Sequence, residues 1–140
     1  MTPRPSCPGC GADQADWLLC KKCAQRLVRD LGAIPGLMSQ LEITLTRQSK
    51  MSADGGRSGK GKERPLPYNE HARKAKDYIR NQLSTWVREL DLGDTVGLAD
   101  NPRALAHWLI ARIERIRGHA ASNELCEEFE YCVQIARQAI

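Results

Sequence analysis

Nowhere does this 140-residue sequence carry an apolar run approaching the roughly 18 residues of a membrane helix, so no spanning segment is expected. The opening stretch, MTPRPSCPGC, has no apolar core of the kind a secretory signal needs. A disulfide framework is therefore not expected, and a reducing, cytoplasmic setting is. Aromatic residues are few, three Trp, three Tyr and one Phe, so any core must be largely aliphatic. Catalytic constellations are missing as well. The stretch Ser58-Gly-Lys-Gly-Lys62 lacks the GxxxxGK[ST] pattern between strand and helix that cradles phosphates. The three histidines, His71, His107 and His119, have neither metal-ligand nor nucleophile spacing. Glu124, Glu127, Glu128 and Glu130 suit a solvated helix face better than an acid–base pair. An enzyme is not expected. Nor is the chain strongly basic, since its formal net charge is only +4.

What the sequence does have is four cysteines at its front, Cys7-Pro-Gly-Cys10 and Cys20-Lys-Lys-Cys23. Two C-x2-C pairs nine residues apart match a closed, four-thiolate metal site. Each pair brings two thiolates and nearby backbone amides to one ion, and Gly11 supplies a turn residue that tolerates positive φ. A redox C-x-x-C normally sits in alternating strand and helix, which this chain does not show. One structural Zn2+ bound by Cys7, Cys10, Cys20 and Cys23 is the expectation, and iron suits the same all-sulfur shell. Four thiolates and one divalent ion would bring the net charge to about +2. The first 23 residues are too few to bury a core, so metal must substitute for one. Cys126 and Cys132 stand apart from this set. Six residues apart on a helix, they lie about 9 Å apart along the axis and are expected to pack as small hydrophobes.

The fold class expected is mostly α, with a treble-clef or ribbon-like finger over residues 1–31 and a C-terminal three-helix bundle. In the finger, Trp17, Leu18 and Leu19 are expected to form one strand of a hairpin, with Trp17 as a lid on the metal. Cys20-Lys-Lys-Cys23 opens a helix whose apolar face is Leu27, Val28 and Leu31, ending at Gly32. Ile34-Pro35-Gly36 then breaks the chain, and a connecting helix occupies the rest of residues 32–48. Residues 49–67 are rich in Gly, Ser and charge, with Lys50, Arg57, Lys60, Lys62 and Arg64, and read as a flexible basic linker. The bundle fills residues 68–140. Its first helix is capped by Asn69 and buries Ala72, Ala75, Ile79, Leu83, Trp86, Val87 and Leu90. Asn101-Pro102 is a cap followed by proline at the first helical position. That second helix buries Leu105, Trp108, Leu109, Ile113 and Ile116 and stops at Gly118. The third starts at Ser122 or Asn123 and uses Leu125, Phe129, Cys132, Val133, Ala136 and Ile140.

Two groups of cations are candidates for nucleic-acid contact. One is on the finger: Lys21, Lys22, Arg26 and Arg29. The other follows the linker, where Arg73, Lys76 and Arg80 fall at i, i+3 and i+7 on one helix stripe, with Lys74 beside them and Glu70 and Asp77 interrupting. No helix start carries an Arg, Asn or Gln pattern for reading bases.

The order CPGCG, LLCKKC, LVRDLGAIPGLMSQLEITLTRQ, a Gly/Ser-rich stretch, then RPLPYNEHARKAKDYIRNQLSTWVREL resembles a group of small zinc-finger proteins of actinobacteria and their phages. The resemblance spans nearly the whole chain, including tryptophans in the places of Trp86 and Trp108. Longer members continue into a second metal-binding segment and a helix-turn-helix and are described as DNA-binding, and the present chain has neither part. The resemblance implies a zinc protein of phage or bacterial gene control. Together with the absent catalytic motifs and the placement of the cations, the first reading is a non-enzymatic factor that touches double-stranded DNA through finger, linker and stripe. The alternative is an interaction adaptor, using finger and bundle to dock a protein partner or a second copy. Neither reading involves a membrane.

Overall fold

The computed structural model describes residues 4–54 and 67–140. The mostly helical class holds. Among the described residues there are five helices: α1 (Lys21–Asp54), α2 (Pro67–Leu90), α3 (Pro102–Ala111), α4 (Ile113–Arg117) and α5 (Ser122–Ala139). There is no β-strand among the described residues. Ser6 and Asp13 form an isolated bridge, and residues 15–18 are a bend instead of the expected hairpin strand.

The largest departure from expectation is α1. It runs unbroken through Gly32, Pro35 and Gly36, where a terminator and a chain break were expected. Proline inside a helix removes one hydrogen bond and costs about 3 kcal/mol. Against that cost, Leu27, Leu31, Ile34, Met38 and Leu41 recur at intervals of four and three residues and are all buried. Ending the helix at Gly32 would uncover the last three, and burying each is worth about 1.5–3 kcal/mol, so tertiary packing prevails. The connecting helix is thus part of one long element, and it continues to Asp54 across the first residues assigned to the linker. The rest of that linker, from residue 55 to residue 66, lies outside the described residues.

Helix α1 packs against α2, α3 and α5, so one core joins Leu27–Leu41 to the three elements expected to form a bundle by themselves. Trp86, Trp108 and every apolar position foreseen for α2 are buried in it. Helix α2 begins at Pro67, which places Asn69 inside its first turn instead of at the cap. At α3 the cap is as expected: Asn101 Oδ1 accepts from the Ala104 N–H at 2.8 Å. The helix predicted to run to Gly118 breaks at Arg112, dividing it into α3 and α4. Ile140, assigned to the core by its spacing, is 49% exposed just beyond the end of α5.

Candidate metal centre and its cationic surroundings

Two local structures deliver the four thiols. In the first, Cys7–Ala12 folds back on itself: the Gly11 N–H donates to Cys7 O at 2.8 Å and the Cys7 N–H to Ala12 O at 2.9 Å. The turn needs Gly11 at φ +76°, a conformation that side chains disfavour. In the second, Cys20 immediately precedes α1 and Cys23 occupies its first turn. The four Sγ atoms lie within 4.8 Å of one another. Cys7–Cys23 and Cys10–Cys20 are each separated by 3.7 Å. A tetrahedron of thiolates about 2.3 Å from zinc has edges of about 3.8 Å, so the spacing fits one ion in an all-sulfur shell. These four residues can hold a metal.

The electrostatics around the thiols are divided. Burial pushes the Cys7 thiol up, but amides of Cys20, Cys10 and Gly9 outweigh it and hold it at about 6. The N–H groups of Gly9 and Cys20 lie 3.3 and 3.2 Å from its sulfur. Cys23 is driven strongly upward by burial, by the neighbouring thiols of Cys20, Cys7 and Cys10, and by charge on Cys7. Crowded thiolates repel one another, and a divalent cation among them reverses that balance.

Leu19 was foreseen only as a strand residue of the hairpin over the metal, and Arg117 was not foreseen as part of this site. Leu19 is fully buried with Cys7, Cys23 and Ala24, and Ile113, Cys20 and Cys126 pack around them. It fills the role expected of Trp17, which is 56% exposed and projects from the bend. The Leu19 N–H donates to Arg117 O at 3.0 Å, while Arg117 Nε donates to Leu19 O at 2.7 Å. The finger is therefore clasped to the last residue of α4. An apolar residue beside Cys20 was a weak signal for Leu19, and nothing local marks Arg117. Cys126 lies behind the cluster without joining it, its thiol pushed up to about 11 by burial and then by charge on Cys7. Cys132 is a buried core residue.

The structure separates the two groups of cations. In the α2 stripe, Lys76 pairs with Glu42 of α1, and Arg80 lies 3.5 Å from Asp100. Neighbouring Lys74 is 3.9 Å from Glu70. Arg73 is exposed. On α1, Lys21, Lys22, Arg26 and Arg29 are all exposed, and among the described residues none forms an ion pair. Arg26 and, one turn along α1, Asp30 line a cleft of about 160 Å3 beside Cys23, to which α5 contributes Glu127 and Glu130. Burial raises the Asp30 carboxyl there, opposed by the charge of Arg29.

No family model, curated protein or solved structure matches this chain. No helix among the described residues is long and apolar enough to cross a membrane.

Proposed function

We propose that this chain is a non-enzymatic, zinc-stabilised module of phage or bacterial gene control that contacts DNA phosphates through the start of α1. The observation that carries the reading is the exposed set Lys22, Arg26 and Arg29, spaced i, i+4 and i+7 along one helix face and, among the described residues, in no ion pair, although Arg26 shares its cleft with Asp30, Glu127 and Glu130. Lys21 adjoins it. The α2 stripe contributes less, because a phosphate reaching Lys76 or Arg80 must displace Glu42 or Asp100. Phosphate contacts carry no base identity, so this surface gives affinity without sequence readout.

The test is fluorescence anisotropy of a labelled duplex at two salt concentrations, with metal analysis of the same preparation. Reversing Lys22, Arg26 and Arg29 to Glu should weaken binding to all duplexes alike and flatten the salt dependence by about one unit of slope per lost contact. Reversing Arg73, Lys76 and Arg80 should cost less. A zinc content near zero in protein purified without chelator would remove the metal assignment, and absence of any shift at micromolar protein in low salt would remove DNA. A specific feature favours the adaptor as second reading. Leu92 and Val96 are 77% and 94% exposed on a loop pinned by Asp91 and Asp94, a stiff apolar projection suited to a protein partner.

A further inference from the structure

Trp17 lies outside the buried cluster around the thiols and outside the core, yet the backbone that carries it is held from both sides. Before it and around it, the Leu18 N–H donates to Asp16 Oδ1 at 3.1 Å, and the Gln14 side chain donates to Leu18 O. After it, Leu19 is buried and paired with Arg117, and Cys20 belongs to the thiol cluster. The indole thus stands on a bend whose ordering cost is already met by the finger, which favours binding. Exposed Lys21 and Lys22 follow it by four and five residues. Asp13 and Asp16 lie in the same segment, and Arg4, Lys21, Lys22 and Arg26 outnumber them.

We infer that Trp17 is a stacking platform for an unpaired base, so that the finger takes single-stranded nucleic acid, with Lys21 and Lys22 on the adjoining phosphates. This rests on the DNA reading above and narrows its ligand. A protein partner fits the place less well. At 56% exposure the indole offers on the order of 140 Å2. Leu18 is the only large apolar neighbour in the bend that is also exposed, whereas a stable protein interface takes about 800 Å2 from each side with few charges at its centre. One aromatic face, with two exposed lysines four and five residues along the chain, is the scale of one nucleotide. In a duplex every base face is already stacked, so only an unpaired base can use the platform.

Intrinsic fluorescence tests this directly, because Trp86 and Trp108 are 9% and 6% exposed and Trp17 is the accessible indole. Zinc-loaded full-length protein is titrated with oligo(dT) of about 15 nucleotides and with a duplex of the same length, within the site sizes of single-strand binders. Oligo(dT) should quench the emission that iodide also reaches, and the duplex should not. Trp17→Ala should weaken oligo(dT) about 10- to 100-fold and Trp17→Phe much less, with duplex affinity changed under threefold. Circular dichroism and zinc content check that both variants are folded. Equal binding of oligo(dT) by Trp17→Ala and the parent overturns the platform while leaving phosphate contact standing. If neither nucleic acid binds, both readings fall. A concentration-dependent shift of Trp17 emission without nucleic acid binding would assign the indole to a self-contact and overturn the proposal.

Discussion

Replacing Leu19 by Ala should reduce metal affinity about 100-fold, although Leu19 is not a ligand. The side chain is fully buried, and the other buried members of its cluster are Cys7, Cys23 and Ala24. It is therefore the only large aliphatic side chain among the fully buried members of that cluster. Truncation to Ala removes three carbons, worth about 2.4 kcal/mol at roughly 0.8 kcal/mol each. A residual cavity adds to this, so about 3 kcal/mol is the working figure, within the usual Leu→Ala range. With the proposed zinc bound, folding of this small cluster is coupled to metal binding, so the loss should appear as weaker metal affinity. At 1.4 kcal/mol per decade, 3 kcal/mol is about two decades.

Competition with a chromophoric chelator measures that change. The backbone bonds to Arg117 use only the Leu19 N–H and C=O, so the substitution leaves the clasp's hydrogen bonds intact. Leu18→Ala, at a position 37% exposed, is the control and should stay within threefold of the parent. Metal affinity of Leu19→Ala within threefold of the parent would refute the coupling. So would a fall in bundle melting temperature with metal affinity unchanged, since it would mean that the finger keeps its fold without the ion.

Other consequences follow from the same structure. A Cβ on Gly9 would meet Cys23 Sγ and Leu19 Cδ1, each at 3.0 Å, so Gly9→Ala should weaken metal binding in the chelator assay, whereas alanine at exposed Gly36, with open space around it, should not. The Asp94 carboxyl, held far below its usual range by Arg115 and then Arg112, contributes stability that is complete above the ordinary carboxylate value of about 4 and is lost as pH falls below it. Denaturant midpoints of the parent and Asp94→Asn should therefore differ most near neutral pH and converge toward about pH 2, and a constant difference would refute this. Metal loss in acid affects both proteins alike and cancels in the comparison.

How much of this was legible beforehand depends on how local each determinant is. The four-cysteine cluster was readable because a two-residue spacer is itself the geometry of a knuckle. The buried face of α2 was readable because Ala72, Ala75, Ile79, Leu83, Trp86, Val87 and Leu90 repeat with the helix period. Asn101-Pro102 carried its own cap chemistry. The failure at Gly32 and Pro35 has a different origin. Both are breakers by local propensity, and what overrides them is the core that Ile34 and Met38 enter, whose opposite wall comes from α2, α3 and α5. The clasp was hidden for the same reason, since Leu19 and Arg117 are 98 residues apart.

The charged faces show this limit most sharply. Arg73, Lys76 and Arg80 and the set Lys22, Arg26 and Arg29 have the same helical logic in sequence, a stripe of cations away from the apolar face. Only tertiary placement distinguishes them. Helix α1 runs beside α2 and sets Glu42 against Lys76, and the turn before α3 sets Asp100 against Arg80. At the other end of α1, the finger and Arg117 hold the first turn while Lys21 and Lys22 remain open. A cation already paired must give up its carboxylate before it meets a phosphate, and the exposed pair gains little from its own ion bond. The cost is modest but directional, and it moves the expected anion contact from the stripe to the finger. That displacement is why the two triple reversals should be unequal, with the α1 set decisive.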